Sequence, residues 1–453
     1  MKGDEGLASL EDGKPYWRTN LAVVWFSQFV SMIGFALSLP FGPFYIRQLL
    51  ERAEVPAESL DNQVKLYAAL SVACASFMMA VIAPVWGVVA DRFGRKPMLI
   101  RANLGAAVMI ALMGFAPNIE CFLVYRGFQG LFSGTITAAM TLVAGCTPSG
   151  RQGIALGLLS AGVFSGDVAG QFIGGVLAEQ YGYRVTFSTG ACLLAVSGVL
   201  VLLLVREEHQ TKVRQAVEGG RRRLFAFLEY VRPCLPLYAA VFLVAMSRVF
   251  DNSQFPLYIE FLNGGPSVPG KEVWTGRVAG VASIGAMLSG IFIGRLLDRF
   301  RPQRVAYVAA CGACLMMLSI GLLPPQLLDW ERLLGAFTLF GHTFSENVAP
   351  AVLVMLPLRF LMIACVAGLE PVVNVWLSKS TVAEHRGVVF GCAVTFRSLG
   401  FVVGPMLSGM VSMALGVQYV FLVGPALFLL LVPLFALVAV LVSRRETAPQ
   451  GGA

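Results

Sequence analysis

The chain has 453 residues, of which 57% are hydrophobic and 13% charged, and its mean hydropathy is +0.74. This composition excludes a soluble globular protein and indicates a chain embedded in a membrane. A formal net charge of +8 would be compatible with nucleic acid binding, so the positions of the charges decide its meaning.

Apolar stretches of about 20 residues, the length that crosses the hydrocarbon layer of a bilayer, recur along the chain. They predict an all-α, polytopic membrane protein with twelve transmembrane helices in two pseudosymmetric six-helix halves. The predicted spans lie at about 19–45, 66–90, 97–116, 119–146, 153–178, 184–205, 235–259, 277–298, 303–324, 351–377, 387–413 and 416–442.

The basic residues are distributed unevenly over the predicted connections. Segments expected inside carry twenty-one Lys and Arg side chains, whereas the opposite loops carry seven. This bias follows the positive-inside rule and predicts that both termini are cytoplasmic. The basic charge therefore reports orientation, and we expect no nucleic acid partner.

Residues that carry catalytic or metal chemistry are scarce in the predicted spans. The nine cysteines are spread mostly through apolar segments, and His209, His342 and His385 fall in predicted connections. No nucleotide-binding loop of the form G-x4-G-K-[ST] occurs. We therefore expect no metal, no cofactor and no ATP as the energy source, and no enzyme activity.

The polar segments divide the chain into five parts. These are a cytoplasmic tail (1–18), a first six-helix half (19–205), a cytoplasmic connection (206–234), a second six-helix half (235–443) and a second cytoplasmic tail (444–453). The connection ends in RRRLFAFLEYVRP, which fits either a helix at the inner membrane surface or a solvated linker. An insert in the second half, residues 326–350, predicts an outward-facing interfacial or re-entrant helix, because its apolar run is too short to cross.

The insert follows from an internal repeat. The spacing G-x8-G-x3-G-x3-[GS]-G begins at Gly157 and again at Gly391, an offset of 234 residues. A second element, G-x3-D-R-F, begins at Gly87 and at Gly294, an offset of 207 residues. The difference of 27 residues must lie between the two elements of the second half.

The connection between the second and third spans reads GVVADRFGRKPML, residues 87–99. Gly87 permits close helix approach, and the Asp91 carboxylate can accept hydrogen bonds from a helix N-terminus or pair with an arginine. The stretch resembles the loop signature of the major facilitator superfamily. The resemblance implies a latch that stabilises one face of alternating access; an anchor of basic charge is the alternative. The residues concerned are Gly87, Asp91, Arg92, Gly94, Arg95 and Lys96, with Asp298 and Arg299 in the repeat.

A second stretch, LVYRGFQGLFSG at residues 123–134, resembles the R-x-x-Q-G element of the same superfamily through Arg126, Gln129 and Gly130. The resemblance implies that Arg126 influences proton transfer or cavity charge. A guanidinium inside a membrane normally has a function or a partner, so a structural ion pair is the alternative.

The third stretch, GLLSAGVFSGDVAGQFIGG at residues 157–175, resembles the antiporter signature G-x8-G-x3-G-P-x2-G-G, with Gln171 in place of proline. Four of its glycines form one helical stripe, which we expect to pack against a small-residue stripe of the eighth span. The first stripe is Gly162, Gly166, Gly170 and Gly174, with Gly175 beside it; the second is Ala282, Ala286, Gly290 and Gly294; the repeat carries Gly400, Gly404 and Pro405.

Asp167 is a carboxylate inside this otherwise apolar and small-residue stretch, four residues before Gln171. This spacing predicts a hydrogen bond between their side chains. Asp167 would then titrate and influence motion of the two halves, or stay protonated and serve packing alone.

The first span ends in SLPFGPFYI, with Pro40 and Pro43 spaced as in drug:proton antiporters of the superfamily. The resemblance extends from Asn20 to Arg445 and is closest to the bacterial drug:proton antiporters. It implies a monomer in the bacterial inner membrane that binds a small-molecule substrate and protons. The first span lacks the acidic residue that some of these antiporters carry, so coupling must use other groups or be absent.

In the superfamily, spans one, four, seven and ten line the central cavity. The resemblance therefore implies cavity roles for Arg126, Arg248, Asp251, Arg359, Glu370 and Asn374. Arg248 and Asp251 are three residues apart and can neutralise each other. Glu370 has no acid or base within four positions, and an unpaired carboxylate in the membrane favours its protonated form, as a proton carrier requires.

These features predict a proton-coupled exporter of amphipathic or cationic drugs. The alternative is a symporter or facilitator for one specific metabolite, which the membrane arginines would suit if the substrate were an anion. A non-transporting receptor or a membrane-embedded enzyme forms a third class, and the spans contain no recognised catalytic motif to support an enzyme.

Overall fold

A computed structural model describes residues 15–207, 234–267, 269–324, 338–339, 342–343, 350–379 and 386–447. These residues are almost wholly helical. The helices are α1 (Trp17–Ser38), α2 (Gly42–Arg52), α3 (Ala57–Phe93), α4 (Arg95–Gly114), α5 (Ile119–Leu131), α6 (Thr135–Cys146), α7 (Gln152–Leu204), α8 (Leu235–Val249), α9 (Phe255–Leu262), α10 (Lys271–Arg299), α11 (Pro302–Gly321), α12 (Pro350–Lys379), α13 (Arg386–Leu415), α14 (Val417–Val423) and α15 (Pro425–Thr447).

Ten helical stretches of the described residues are long and apolar enough to cross a membrane, and α8 is a shorter apolar helix. Helices suit a bilayer because each backbone polar group finds its partner within the segment. The long helix α7 covers the predicted fifth and sixth spans, and Gly182, with φ 78°, interrupts its helical geometry between them. The all-α membrane fold is confirmed; the count of twelve spans stays a prediction.

The first, fourth and seventh predicted spans are interrupted by short non-α segments. The first contains a 3-10 turn at Leu39–Phe41, the fourth breaks before Gly134 (φ 101°), and the seventh breaks between α8 and α9. Proline and left-handed glycine explain the first two, since neither continues a regular helix. Discontinuous helices of this kind commonly surround substrate and ion sites in secondary transporters.

The insert does not form the predicted helix where the structure describes it. Thr338–Leu339 (β1) and His342–Thr343 (β2) pair as a two-stranded antiparallel sheet. Short apolar runs fit either helix or strand, so the length of this run did not determine its secondary structure, and the predicted helix is wrong for these four residues. Several other predicted segments lie wholly or partly outside the described residues. These are insert residues 326–337, 340–341 and 344–349, connection residues 208–233, and tail residues 1–14 and 448–453.

The described residues form two compact units. The first takes its residues from Met1–Pro56, Met78–Arg214 and Glu272–Gly280, and the second from Ala57–Phe77, Gln215–Lys271 and Val281–Ala453. In the first unit, α1 and α4 both lie along α7. In the second, α8 packs on α13, and α11 packs on α12 and α15.

The glycine stripe of α7 packs against α1. A Cβ at Gly170 would lie 2.7 Å from the backbone oxygen of Ile33, and one at Gly174 would lie 2.7 Å from that of Leu37. Gly162 and Gly166 face Trp25 and Phe29 in the same way. The prediction that this stripe packs against the eighth span is therefore wrong, because small residues specify close approach without specifying which helix approaches.

The neighbouring side of α7 does meet the eighth span. Within the first unit, a Cβ at Gly175 would lie 2.8 Å from the Glu272 backbone oxygen, and one at Gly276 would collide with the Gln171 backbone oxygen. The Tyr183 hydroxyl also donates to the Glu272 carboxylate at 2.6 Å. The contact between the predicted fifth and eighth spans thus uses residues beside the stripe.

The second unit repeats both arrangements. A Cβ at Gly404 would lie 2.7 Å from the Met246 backbone oxygen on α8, and Gly400 faces the same helix. A Cβ at Gly409 would lie 2.5 Å from that of Ala69 on α3. Gly409 lies 234 residues after Gly175, and Gly276 lies 207 residues after Ala69, which are the two repeat offsets. The sequence repeat therefore corresponds to a repeated packing pattern.

A buried polar network ties three helices of the first unit together. The Ser197 hydroxyl lies 2.7 Å from that of Ser27 and 2.8 Å from that of Ser31. The Asn103 amide donates to Ser197 at 3.1 Å and accepts from Ser31 at 2.7 Å. Interhelical hydrogen bonds replace the hydrophobic force that is missing between helices in lipid.

Replacing Gly170 by Ala should destabilise the first unit by roughly 1–3 kcal/mol, because the added methyl group would push α7 away from α1. Gly157→Ala is the matched control on the same helix, since no described atom lies within 4 Å of its Cβ position. Thermal unfolding of the detergent-solubilised protein measures both changes. Equal unfolding midpoints for the two variants would contradict the packing.

Candidate functional site

Two clusters of ionisable side chains lie within the apolar helices of the second unit. In the first, the Arg359 guanidinium on α12 donates to the carboxylate of Asp251, which lies in the break between α8 and α9. The Asp251 side chain is 1% exposed and the Arg359 side chain 4% exposed. The guanidinium carbon of Arg359 also lies 4.4 Å from the Phe255 ring centroid, a cation–π contact.

This pair is desolvated and incompletely hydrogen-bonded. The second carboxylate oxygen of Asp251 and Nε of Arg359 are buried and accept or donate no hydrogen bond among the described residues. Burial of two charges is tolerated here because each compensates the other, and removal of either would leave an uncompensated charge. The pair therefore fixes α12 to the broken seventh span.

The second cluster centres on Glu370 of α12. Its carboxylate contacts the guanidinium of Arg248 on α8, and its other oxygen lies 3.2 Å from Nη1 of Arg397 on α13. Arg397 also donates through Nη2 to the Asn374 side-chain oxygen at 3.1 Å. Glu370 and Asn374 are one helical turn apart, so they present one face of α12 to Arg397.

Two predictions about these charges are wrong. Glu370 is not an isolated carboxylate, because two arginines from other helices contact it. Arg248 and Asp251 do not neutralise each other, since each pairs with a residue on α12 instead. Spacing along one helix identified the charged groups but could not assign partners on other helices.

The Glu370 cluster is accessible, unlike the Asp251 pair. The side chains of Glu370 and Arg397 are each 27% exposed, and that of Arg248 is 47% exposed. A small pocket beside them has an apolar lining of Val241, Val244, Ala245, Val373 and Phe401. A larger cavity of about 360 Å³ between α12 and α13 is lined by Asn374, Phe390 and Arg397 among others, so Arg397 borders both spaces.

The first unit holds the other candidate charges. Gln171 donates to the Asp167 carboxylate at 2.9 Å, the hydrogen bond predicted from their spacing. Arg126 donates to the Gln129 side-chain oxygen at 2.6 Å, one turn along α5. Neither belongs to the clusters of the second unit.

The loop signature spans the end of α3 and the start of α4. Gly94 has φ 98°, which a side chain would strain, and separates the two helices. The backbone N–H groups of Arg95 and Lys96 donate to the Glu207 carboxylate at 2.8 and 2.7 Å. The close approach predicted at Gly87 is absent, since a Cβ there would meet no described atom within 4 Å.

The acidic positions of this signature are Asp91 and, in the repeat, Asp298. Their side chains lie outside the described part of the chain. Arg92 is exposed near the end of α3, and Arg299 is the last residue of α10. The latch role of these residues stays a prediction.

Sequence reasoning missed three charged residues that the structure connects to these sites. Arg397 lies in the predicted span 387–413 and Glu207 in the charged connection 206–234, and neither matches a motif that would assign it to a site. Arg101, also overlooked, lies 3.6 Å from the Trp86 ring centroid and donates to the Ser133 backbone oxygen at 2.9 Å. Trp86 donates to the Leu131 backbone oxygen at 2.7 Å, so both side chains cap the break in the fourth span. The presence of Arg101 in an apolar stretch was the available signal.

The fold and these side chains define a polytopic helical membrane protein with ionisable groups inside its apolar helices. The profile of the Major Facilitator Superfamily matches residues 24–341 and 332–453, and the chain belongs to this superfamily of membrane transporters. The resemblance inferred from its motifs is thereby confirmed.

Relatives named multidrug resistance proteins are similar to most of the chain. It is 32% identical over 408 residues to the multidrug resistance protein MdtG of Rahnella sp., covering 90% of both chains. It is 31% identical over 407 residues to the protein of the same name from Enterobacter lignolyticus, covering 90% of this chain and 89% of that protein.

The fold resembles solved structures of transporters. A bacterial homolog of the human lysosomal transporter Spinster, in an inward-facing and occupied conformation, superposes with a TM-score of 0.71 at 14% identity and covers 96% of this chain and 99% of its own. At this identity the similarity establishes the fold alone.

Proposed function

We propose that the chain is a proton-coupled exporter of amphipathic compounds, including drugs, that works by alternating access. Membership of the major facilitator superfamily supports transport. The relatives named multidrug resistance proteins, similar over nine-tenths of the chain, support drugs as substrates. The observation that carries the coupling proposal is the Glu370 carboxylate, held by Arg248 and Arg397 beside an apolar pocket.

Protonation of Glu370 would weaken two ion pairs at once. Glu370 lies on α12, and its partners Arg248 and Arg397 lie on α8 and α13. The charge state of this one carboxylate therefore alters how strongly the three helices are held together. Pro371 follows Glu370 directly and removes a backbone donor from α12, so the helix lacks one backbone hydrogen bond at this point. A carboxylate that is partly exposed and linked to several helices has the access and the mechanical connection that a coupling site requires.

The Asp251–Arg359 pair has a different role in this proposal. Its burial keeps protons and substrates away, and each charge is the other's compensation. We assign it to holding the discontinuous seventh span against α12 throughout the cycle. Proton loading is assigned to Glu370.

Asp167 is the second candidate for coupling, through its hydrogen bond with Gln171. Gln171 also places its backbone oxygen against Gly276 of α10, so the bond lies beside a close helix contact. If Asp167 titrates, Asp167→Asn should abolish the dependence of transport on pH. Packing alone predicts transport close to that of the wild type, because asparagine keeps the shape and the acceptor; initial transport rates at several pH values measure the difference.

A second function is favoured by one observation. Two arginines surround a single carboxylate in the Glu370 cluster, and the excess positive charge would attract an anionic group. A symporter or facilitator for an anionic metabolite would use such a site. Uptake of the anion down a pH gradient, without ethidium export, would favour this alternative.

The remaining parts of the proposal concern the setting of the protein. It would reside as a monomer in the bacterial inner membrane with both termini cytoplasmic, in contact with lipid on its outer faces. The energy source would be the proton gradient, with no ATP, metal or other cofactor, and no catalysed reaction. The loop signature, Gly87 to Lys96, would act as the latch of one alternating state.

Export is tested by loading cells with ethidium and following its fluorescence after the gradient is restored. Cells that produce the protein should lose ethidium several times faster than cells without it, and an uncoupler should remove the difference. Equal retention of ethidium in both cell types would contradict the drug-export proposal.

A further inference from the structure

The chain leaves α7 through a short segment that is fixed at every residue. The Val205 backbone oxygen accepts from Nζ of Lys96 at 2.7 Å. The Arg206 backbone accepts from the Asn20 side chain at 2.6 Å and donates to it at 3.0 Å. Glu207 binds the start of α4. We call residues 205–207 the clasp.

Glu207 makes the chemically specific part of the clasp. Its Oε1 accepts from the N–H of Arg95 at 2.8 Å, and its Oε2 accepts from the N–H of Lys96 at 2.7 Å. The first N–H groups of a helix have no partner within that helix, and the helix dipole favours an anion at this end. One carboxylate thus satisfies two donors that would otherwise remain unpaired.

Gly94 makes room for this carboxylate. A Cβ at Gly94 would lie 2.7 Å from Oε2 of Glu207, and the backbone there has φ 98°. The backbone conformation therefore disfavours a side chain at Gly94, and a side chain there would displace the Glu207 carboxylate. The glycine of the loop signature and the carboxylate at the exit of α7 fit one another as parts of a single contact.

The clasp joins two segments that matter for transport. Residues 94–96 belong to the loop signature, and residue 207 is the last described residue before the connection that leads on to α8. Val205 and Glu207 both contact the start of α4, and Arg206 contacts Asn20 of α1, so the clasp links the end of α7 to the loop signature.

We infer that Glu207 is a positioning residue of the transport cycle, which holds the loop signature to the point where the chain leaves α7. The inference rests on the proposed function, because a positioning role needs a cycle. Glu207 touches neither candidate cavity, so it acts on the rate of conformational exchange and leaves substrate affinity unchanged.

The contact is tested by hydrogen exchange of the full-length protein in lipid nanodiscs. The N–H groups of Arg95 and Lys96 lack acceptors within α4, so their protection reports on Glu207 directly. Glu207→Gln should raise exchange in the peptide covering residues 94–99 by about tenfold or more, while Glu207→Asp, which keeps the charge, should give an intermediate value. Glu51→Gln is the control, since Glu51 is exposed at the end of α2.

The role in the cycle is tested by ethidium transport into proteoliposomes. Glu207→Gln should lower the maximal rate at least threefold with KM unchanged, and Glu207→Asp should recover part of the rate. Unchanged exchange in the 94–99 peptide would overturn the clasp, and a raised KM or a lowered unfolding temperature without a rate effect would reduce Glu207 to a stabilising residue. If the wild type moves no ethidium, the proposed function fails with its cycle, and altered exchange would then establish a contact without the inferred role.

Discussion

Arg359→Met should lower the free energy of unfolding by about 3–5 kcal/mol, because it leaves the carboxylate of Asp251 buried without its counter-charge. The Asp251 side chain is 1% exposed, so water cannot replace the guanidinium. Asp251→Asn should lower the free energy of unfolding by a similar amount, because the buried guanidinium of Arg359 would lose its counter-charge. Thermal unfolding of the purified variants, together with the yield of folded protein, measures the loss.

The double variant Asp251→Asn with Arg359→Met separates charge compensation from other effects. Methionine can keep contact with the Phe255 ring, and no uncompensated charge remains. It should recover most of the stability that either single variant loses, as buried ion pairs replaced by neutral groups often do. A double variant as unstable as the sum of the single variants would contradict the pairing.

Glu370→Gln should affect transport far more than stability. Glutamine keeps the shape and one acceptor, and the ion pairs it replaces are partly exposed, so the free energy of unfolding should change by no more than about 1 kcal/mol. Ethidium accumulation driven by a difference of one pH unit should fall about tenfold, because the proton gradient no longer drives ethidium movement.

Glu120→Gln provides the matched control for Glu370. Glu120 is an exposed carboxylate in the first turn of α5, so the same chemical change there should leave transport unaltered. Full gradient dependence in Glu370→Gln would transfer the coupling role to Asp167 or to another group. A large loss of folded protein in Glu370→Gln would instead mean that the cluster is mainly structural.

The parts of the fold that depend on local sequence were predictable. Length and hydropathy located the apolar spans, and the spacing of Asp167 and Gln171 predicted their hydrogen bond, because an i,i+4 pair is fixed by the helix itself. The repeat offsets similarly identified Gly175 and Gly409 as equivalent positions, and both proved to be sites of close approach.

The parts that depend on helix rotation and neighbour choice were not predictable from one sequence. Arg359 lies 108 residues from its partner Asp251, and Arg248 lies 122 residues from its partner Glu370, each on a different helix. The glycine stripe of α7 is visible in the sequence, but its partner, α1, is not. Small residues permit close approach by a neighbouring helix without specifying which helix it is. The short apolar run of the insert gave no reliable choice between helix and strand.

The central claim, that Glu370 couples proton movement to export, is tested most directly in proteoliposomes with an acidic lumen. Exchange of one proton for one ethidium cation is electrically neutral, so one pH unit should support about tenfold accumulation of ethidium in the lumen. The account predicts this accumulation for the wild type and for Glu120→Gln, with ethidium merely equilibrating in Glu370→Gln. Equal, gradient-dependent accumulation in the wild type and in Glu370→Gln would contradict it.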